Sequence, residues 1–371
     1  MPRGWRLPAE WEPHESTWLA WPHERTDWPG KFAPIPWVYG ELVRLVARRE
    51  LVRILVADRG AEAAARRVLS KSHADLSRVG FFRCPTDRSW IRDFGPLFVT
   101  DRLGRIAATN WRFNGWARYD NWRRDDAVAD RLARHLGFRQ WKPGLVLEGG
   151  SIDVNGRGTL LTTAECLLSP VQARNPGLDR AAIERVFAEH FGIRNVLWLN
   201  RGIAGDDTHG HVDDIARFVN PTTVVAAVET DRSEVNYEPL RENLRLLRRM
   251  KDQDGRGLRV VKLPMPRPVY FDNQRLPASY VNFYIANGLV LVPTFNDPND
   301  RIALATLARL FPGRDVAGIH STDLVLGLGT LHCMTREQPA CRRATPAATR
   351  VARRREPAPP GAVRPGRSPS A

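Results

Sequence analysis

The segment Asp206-Asp207-Thr208-His209-Gly210-His211-Val212-Asp213-Asp214 concentrates four carboxylates, two imidazoles and a glycine in nine residues. An apolar run at 215–219, Ile-Ala-Arg-Phe-Val, follows it directly and is typical of a strand that enters a core. Buried carboxylates and imidazoles cost several kcal/mol unless they are paired. His211 and Asp213 are predicted to begin this strand on one face, because alternate strand residues share a face. The segment therefore predicts a metal site or an acid/base site.

The arrangement of a polar segment followed by a strand recurs along the chain. Predicted helices begin about 60 residues apart, which indicates a repeated structural unit. These helices start near Asp125, Asp179, Glu238 and Arg301, and an earlier helix near Tyr39 would supply a fifth unit from both chain ends. The strand pairs that fit between them are 151–154 with 159–162, 215–219 with 223–227, and 280–286 with 289–293. Repeated units must stack or close to bury their core, so the prediction is an α/β fold closed like a propeller.

Polar residues fall at equivalent points of successive units, immediately ahead of the first strand. Such points converge on the axis of a closed ring. The residues concerned are Asp93, Glu148, His211, Asp213 and Cys333, the last of them at the end of a glycine-rich loop. We therefore expect these five side chains to surround one cavity.

Composition is typical of a soluble globular protein, with 43% hydrophobic and 26% charged residues in a chain of 371. No apolar run is long enough for a membrane span, and the N-terminus lacks the apolar core of a signal peptide. These features predict a cytoplasmic protein without a membrane partner. The four cysteines show no CxxC spacing, so neither a disulfide framework nor a zinc ribbon is indicated.

The net charge of +15 raises the alternative of a nucleic-acid-binding protein. About half of that charge lies after Cys341, where eight arginines and one glutamate occur among Pro and Ala without apolar periodicity. We predict one domain over 1–340 and a disordered tail over 341–371 that contacts polyanions weakly. Nucleic acid is therefore not the expected partner, and the sequence leaves a homo-oligomer open.

Two chemistries fit the polar residues. His209, His211, Asp213 and Asp214 resemble a metal-ligand set, but no other histidine-rich segment adds ligands and Cys333 would have no task. The favoured hypothesis is a thiol nucleophile at Cys333. Three acids around a thiolate indicate a substrate with delocalised positive charge, and a guanidinium, planar and always protonated, fits that description.

Five motifs carry a resemblance to a known family. They are Pro8-Ala9-Glu10-Trp11-Glu12-Pro13-His14, Trp90-Ile91-Arg92-Asp93-Phe94-Gly95-Pro96, Glu148-Gly149-Gly150-Ser151, Gly210-His211-Val212-Asp213-Asp214 and Gly329-Thr330-Leu331-His332-Cys333. Together they resemble the agmatine deiminase family, which is shared with bacterial peptidylarginine deiminases in the guanidino-group-modifying superfamily. The resemblance covers about 8–338. The chain departs from it at His209, where the family has an aspartate, and at Asp214, where an asparagine is usual.

The resemblance implies a pseudosymmetric propeller of five ββαβ modules closed around a central active site. It implies Cys333 as nucleophile, His211 as acid/base, Asp93 and Asp213 as guanidinium clamps, and Glu148 as a further catalytic carboxylate. The predicted substrate-binding set adds Trp90 as a stacking wall, together with Arg92 and Asp207. No cofactor and no metal are implied.

The implied reaction is hydrolysis of agmatine to N-carbamoylputrescine and ammonia through a covalent thiouronium on Cys333, a step of putrescine biosynthesis within polyamine metabolism. A peptidylarginine or free arginine deiminase is the nearest alternative, and a metal-dependent hydrolase is a distant one. A substrate with a carboxylate would need an arginine in the pocket, for which Arg92, Arg118 and Arg217 are the candidates. Under each of these deiminase hypotheses the predicted partner is a small cationic guanidino compound.

Overall fold

The structure is a computed structural model that describes residues 4–341, so the predicted tail lies outside the described residues except for Cys341. Within the described range the α-helices are α1 Ile35–Val46, α2 Arg59–Lys71, α3 Ile91–Phe94, α4 Arg123–Asp126, α5 Val128–His135, α6 Ala164–Leu168, α7 Arg180–Phe191, α8 Tyr237–Leu247 and α9 Pro298–Leu310. Several of these helices are capped by aspartate side chains. Asp58, Asp179 and Asp297 each accept a hydrogen bond from a backbone N–H of the first turn.

The strands are short and mostly buried. They are β1 Trp5–Arg6, β2 His14–Ala20, β3 Leu51–Val56, β4 Val79–Arg83, β5 Leu97–Asp101, β6 Ile106–Thr109, β7 Arg139–Trp141, β8 Asp153–Val154, β9 Thr159–Thr163, β10 Asn195–Leu199, β11 Ala216–Asn220, β12 Thr223–Val228, β13 Arg259–Pro264, β14 Val269–Phe271, β15 Gln274–Leu276, β16 Tyr284–Ala286, β17 Leu289–Thr294, β18 Asp315–His320 and β19 Arg336–Pro339.

In the described residues these strands form five sheets of three or four strands and one separate hairpin. The strand orders are β1-β5-β6-β7, β10-β9-β8, β11-β12-β13, β16-β17-β18 and β19-β2-β3-β4, and the hairpin is β14-β15. Each of the five sheets contains an antiparallel pair whose second strand also pairs in parallel with a later strand. A helix connects the two parallel strands, as a parallel crossover requires. The mixed α/β class predicted from the sequence is therefore confirmed.

The two ends of the described chain meet in one sheet. Strand β19 runs antiparallel to β2, with Arg336 opposite Trp18. This pairing brings the segment after Cys333 against the N-terminal strand, so the loop that carries Cys333 is anchored on its C-terminal side by a buried sheet.

Two details of the predicted strands are wrong. Ser151 belongs to a 3₁₀ turn, Gly149–Ser151, and the strand begins only at Asp153. Val212–Asp214 also form a 3₁₀ turn ahead of β11, so the alternation rule does not apply to His211 and Asp213. The turn closes through a hydrogen bond from Ile215 N–H to the Val212 carbonyl at 3.0 Å.

Apolar side chains of these sheets and helices form two buried clusters in the part of the chain that is described. The larger one extends from Trp18 in β2 to Met334, the residue after Cys333. The smaller one packs Phe187 and Phe191 of α7 against strands such as β9. Among residues 4–341, no helix has the length and apolar content needed to cross a bilayer.

Candidate active site

Short turns that precede the first strand of each sheet carry the predicted site residues. Asp93 lies in α3 ahead of β5, Glu148 precedes the turn ahead of β8, and His211 and Asp213 flank Val212 ahead of β11. Cys333 lies shortly before β19. The turn after Glu148 packs against the turn after His211, so residues far apart in sequence meet in one place.

The imidazole of His211 lies at the centre of this group. Its Nδ1 atom is 3.9 Å from Asp93 Oδ1 and 4.0 Å from Asp213 Oδ1, and its Nε2 atom is 3.8 Å from Glu148 Oε2. Cys333 Sγ is 3.8 Å from Asp213 Oδ2. All five side chains are buried. The structure thus brings the five residues together, but of the five only Asp93 and Cys333 line the large cavity beside them, so the prediction that all five surround one cavity is met only in part.

Several polar atoms in this group have no hydrogen-bond partner within the described protein. They are Glu148 Oε2, Asp213 Oδ1 and both ring nitrogens of His211. A buried polar atom left without a partner costs about 1–3 kcal/mol. A ligand with several N–H donors in one plane would satisfy the two carboxylate oxygens.

Other contacts fix the orientation of the acids. Asp93 accepts hydrogen bonds from the indole N–H of Trp116 and from the backbone N–H of Gly150, each at 2.9 Å. Glu148 accepts a bond from Arg174 Nε at 2.9 Å. Gly150 must be a glycine, because a Cβ atom there would lie 2.6 Å from His211 Nδ1. The carboxylates are therefore held in place before a ligand arrives.

Neighbouring charges shift the pKa values of His211 and Glu148 in opposite directions. Burial disfavours a charge on His211, yet the carboxylate of Asp93, with Cys166 and Glu148, raises the pKa of His211 well above its usual value. Burial would raise the pKa of Glu148, but the guanidinium of Arg174 holds that pKa at about 2. His211 is accordingly an imidazolium beside an ionised glutamate near neutral pH.

Cys333 is a thiol in the free protein. Burial raises the pKa of Cys333 well above its usual value, and the negative charge of Asp213 raises it further. The side-chain N–H of Asn282 donates to Sγ at 3.2 Å. A nucleophile in this environment needs a nearby positive charge before it ionises.

Cys333 opens onto a cavity of about 680 Å³. Trp90, Asp93 and Asp207 of the predicted substrate-binding set also line it, whereas Asp213 of the same set lies behind Cys333 and is not among the lining residues. Gly329 lies between Trp90 and Cys333, where a Cβ atom would come within 3.0 Å of both side chains. A glycine is thus needed here for close packing over Cys333.

Arg92 does not reach this cavity, although the sequence placed it in the substrate-binding set. Its guanidinium lies 2.7 Å from Glu337 and 3.3 Å from Glu10, and its Nε atom donates to the His332 carbonyl at 3.1 Å. Adjacent residues in a helical turn point about 100° apart, so Arg92 faces away from Asp93. Arg92 is therefore a buried structural cation.

The other two arginines that the sequence proposed for a carboxylate differ in position. Arg217 is fully buried and lies 2.9 Å from Glu10 and 3.5 Å from Asp153. Arg118 lines the outer part of the cavity, half-exposed, with its Nε atom 3.9 Å from Asp207. Only Arg118 of the three is in a position to meet a substrate.

We expect Arg92→Met to lower the free energy of unfolding by about 3–5 kcal/mol, because it removes the shorter ion pair of the largely buried Glu337 and leaves it only Arg336 at 3.4 Å. Urea denaturation measures the change. Arg134→Met is the matched control: Arg134 pairs with Asp130 at 2.6 Å, but its side chain is 68% exposed. The control should change stability by less than about 1 kcal/mol. A raised KM with unchanged stability in Arg92→Met would instead restore its substrate-binding role.

Sequence reasoning missed four residues that contact the site. They are Trp116, Arg174, Asn282 and His332. Asn282 precedes β16, the first strand of its sheet, so the repeat that located the other site residues contained the signal for it. His332 Nδ1 lies 2.7 Å from Asp213 and its Nε2 atom 2.7 Å from Glu10, which no spacing rule indicates.

The metal-ligand set suggested by the sequence is not assembled. The His209 ring lies 3.0 Å from the Ser169 hydroxyl, and it shares no ion pair or hydrogen bond with His211 in the described structure. A different group could hold a cation within residues 4–341, namely Glu148, Cys166 and His211, whose ligand atoms lie within 4.8 Å of one another.

Known proteins are similar to this chain in sequence and in fold. A family model described as Porphyromonas-type peptidyl-arginine deiminase matches residues 6–339. The chain belongs to this family. An agmatine deiminase from Ectopseudomonas mendocina (strain ymp) is 36% identical over 361 residues, covering 91% of this chain and 96% of that protein. The family resemblance stated from the motifs is confirmed.

Solved structures agree with the family assignment. The agmatine deiminase of Enterococcus faecalis superposes with a TM-score of 0.84 at 31% identity, covering 91% of this chain and 96% of that one. An agmatine deiminase of C. jejuni with substrate bound gives a TM-score of 0.83 at 30% identity, covering 91% and 97%. The family fold therefore extends over most of this chain.

Proposed function

We propose that this protein is an agmatine deiminase, a hydrolase that converts agmatine and water to N-carbamoylputrescine and ammonia. The observation that carries the proposal is the position of the Cys333 thiol, 3.8 Å from Asp213 in a buried group of carboxylates at the end of a cavity. The activity named for the relatives from Ectopseudomonas mendocina and Enterococcus faecalis supports it.

A guanidinium fits the unpartnered atoms of the site. Its planar N–H groups can donate to Asp213 Oδ1 and Glu148 Oε2. Burial raises the pKa of Asp93 and the His211 imidazolium lowers it, and a bound guanidinium would favour the ionised form of Asp93 further. The positive charges already present nearby belong to Arg174 and the His211 imidazolium. Two charge-assisted contacts would hold the guanidinium carbon against Cys333, and the ring of Trp90 would bound the cavity on one side.

Substrate binding activates the nucleophile in this proposal. The guanidinium brings a positive charge beside a thiol whose pKa is raised by burial, so the thiol proton leaves to solvent as the cation enters. The thiolate adds to the guanidinium carbon and forms an S–C bond in a neutral tetrahedral adduct. His211 then donates its proton to one nitrogen, the C–N bond breaks, ammonia leaves, and a thiouronium cation remains on Cys333.

Hydrolysis completes the cycle. Water adds to the same carbon while the now neutral His211 takes a proton from it. The C–S bond breaks, the thiolate departs, and the hydroxyl proton of the O-protonated urea passes to that thiolate, which restores the Cys333 thiol and leaves the ureido product. Asp213 and Glu148 stabilise the cationic intermediates on both sides of this step.

The outer part of the cavity bears on the choice of substrate. Asp27 and Asp207 line it, and Asp27 Oδ2 is buried without a partner in the described protein. Arg88 is occupied by an ion pair with Asp27 and lies 4.0 Å from the ring centroid of Tyr119. Arg118 also lies there, 3.9 Å from Asp207, but two acids against one half-exposed arginine still favour a substrate with a distal ammonium over one with a distal carboxylate, which agrees with agmatine.

A substrate panel tests this assignment. We expect kcat/KM for agmatine to exceed that for free arginine or arginine peptides by about 100-fold or more, because an α-carboxylate would lie near two acids. Release of ammonia and formation of the ureido product give the rates. Equal activity on free arginine would reject the agmatine assignment in favour of an arginine deiminase.

Asp207→Asn isolates the recognition of the distal ammonium. The amide still accepts the hydrogen bond from Tyr119 but carries no charge. We expect KM for agmatine to rise about tenfold, the value of one charge-assisted contact, with kcat nearly unchanged. Butylguanidine, which lacks the ammonium, is the matched substrate, and its KM should not change. A parallel rise for both compounds would assign Asp207 a structural role.

The fold supports a finer proposal. We infer that the five sheets are the blades of one closed five-module propeller of ββαβ units, and that 1–340 form a single domain. The turns that carry Asp93, Glu148, His211 and Asn282, together with Cys333, would then lie around its axis. The free cysteines of the described chain agree with a cytoplasmic location.

A further inference from the structure

A second thiol lies beside the catalytic imidazole. Cys166 belongs to α6, whose cap residue Thr163 accepts a hydrogen bond from the Cys166 N–H at 3.1 Å. This cap turns the Cys166 side chain toward the interior, where it is buried. Its Sγ atom and one ligand atom each of Glu148 and His211 all lie within 4.8 Å of one another. The deimination mechanism assigns no role to this thiol.

Two of these three groups have free, buried ligand atoms. Glu148 Oε2 has no hydrogen-bond partner in the described structure, because Arg174 engages the other carboxylate oxygen. His211 Nε2 is also without a partner, and it lies 3.8 Å from Glu148 Oε2. A thiol, an imidazole and a carboxylate oxygen thus face one small volume.

We propose that Glu148, Cys166 and His211 form a binding site for a thiophilic divalent cation of the Zn²⁺ class, and that its occupation inhibits the enzyme. The three donor types are those that zinc accepts, with Zn–S near 2.3 Å and Zn–N near 2.0 Å. Two ligands of such a tetrahedral ion lie roughly 3.5 Å apart. The spacing of 3.8 Å between His211 Nε2 and Glu148 Oε2 is already close to this value.

Inhibition follows from what the ion would occupy. The cation displaces the Cys166 thiol proton and the Nε2 proton of His211, both of which pass to solvent. Coordinated Nε2 no longer carries a proton to the leaving ammonia. Glu148 Oε2, now a ligand, no longer accepts a substrate N–H. The inhibitory consequence rests on the proposed deiminase function, whereas binding of the ion does not.

A competing location for the same ion is the nucleophile. Cys333 Sγ lies 3.8 Å from Asp213 Oδ2, and a thiophilic ion could bind there. Asn282 Nδ2 already contacts Sγ at 3.2 Å, and Asp213 Oδ2 is bonded to His332 at 2.7 Å. The Asp213 oxygen nearest Cys333 is therefore engaged, and only the farther Oδ1 atom is free, whereas both Glu148 Oε2 and His211 Nε2 are free beside Cys166. The experiment must separate the two thiols.

The absorption spectrum of bound Co²⁺ distinguishes Cys166 from Cys333 without an activity assay. Co²⁺ occupies zinc sites and gives a thiolate charge-transfer band in the near ultraviolet. We expect the band in wild type and in Cys333→Ser, and we expect it to disappear in the double variant Cys333→Ser/Cys166→Ser. Loss of the band in Cys333→Ser alone, or its persistence in the double variant, overturns the proposal. So does a wild-type protein that gives no band at all.

Zn²⁺ inhibition supplies the second measurement. We expect Cys166→Ser to need at least about tenfold more Zn²⁺ than wild type for half inhibition, each measured relative to its own metal-free rate. Cys84→Ser is the matched control, because Cys84 is buried beside Arg131, a cation that disfavours a second one. It should be inhibited like wild type. If Cys166→Ser does not fold, Cys166→Ala serves in both measurements, and equal sensitivity of the folded variant and wild type overturns the proposal.

Discussion

Cys333→Ala is expected to lower kcat for agmatine by at least about 10⁴-fold, because loss of a covalent nucleophile removes the whole two-step pathway. Substrate binding should change little, since the guanidinium contacts come from Asp213, Glu148 and Asp93. Ammonia release measures kcat, and titration calorimetry measures the Kd of the inactive variant. The expected pattern is a large loss of rate with a Kd within about tenfold of the wild-type KM.

The control for this prediction is a second buried thiol. Cys84 lies 3.9 Å from Arg131 and does not line the cavity, so Cys84→Ala should keep activity within a few-fold of wild type. Acid quenching of wild-type enzyme during turnover should leave a peptide containing Cys333 whose mass is increased by agmatine less ammonia. If Cys333→Ala turns over at a wild-type rate, or if the adduct is found on another residue, the thiol mechanism is refuted.

In the proposed mechanism, the environment of Cys333 allows a buried thiol to ionise only when substrate is bound. Without substrate, burial and the charge of Asp213 raise its pKa, so the sulfur is protonated and protected from oxidation. A guanidinium supplies the missing positive charge, and it does so at the atom to be attacked. Activation is therefore coupled to recognition, and a neutral amide in the same cavity would not ionise the thiol.

Local sequence signals located most helices. Asp179 was expected at a helix start and is the N-cap of α7, because its carboxylate accepts the Ala182 N–H at 2.8 Å. The helix expected near Arg301 begins three residues earlier, at Pro298. Asp297 and Asp300 form a capping box there, and proline is favoured in the first turn. The hydrophobic period identified this helix, but its boundary was set by polar residues outside that period.

A predicted strand boundary is wrong where side-chain hydrogen bonds hold the backbone in an irregular turn. The predicted strand at 280–286 is reduced to Tyr284–Ala286. The Ser279 hydroxyl bonds the Asp214 carbonyl, and the Asn282 side chain bonds Thr330 and Cys333, which fixes the preceding residues in an irregular turn. A local pattern of apolar residues does not reveal such contacts, because the partners lie about 50 or more residues away.

The candidate site was predictable in position but not in its supporting contacts. Repetition placed Asp93, Glu148 and His211 at equivalent turns, and the same rule extends to Asn282. Arg174 is different: it follows α6 in a loop and reaches back to Glu148, a contact set by side-chain reach and charge. Ion pairs of this kind depend on three-dimensional proximity, which sequence spacing does not encode.

Asp93→Asn is expected to reduce kcat/KM for agmatine by about 10³-fold, or about 4 kcal/mol. Both carboxylate oxygens of Asp93 accept hydrogen bonds, one from Trp116 and one from Gly150. An asparagine must therefore direct its NH₂ group at another N–H donor in either orientation. The substitution also removes the negative charge that contributes most to the raised pKa of His211, so the imidazole loses its proton at lower pH than in wild type. Steady-state rates across pH measure both effects.

Asp214→Asn is the matched control for the loss of a buried carboxylate. Burial raises the pKa of Asp214 well above its usual value, so its neutral form dominates before any substitution. One oxygen accepts from Asn282 Nδ2 at 3.0 Å, and an asparagine oxygen can accept the same bond. We therefore expect kcat/KM within about tenfold of wild type, because neither charge nor hydrogen-bond pattern changes greatly. Equal losses in the two variants would mean that bulk negative charge, rather than the placement of Asp93 beside His211, binds the guanidinium.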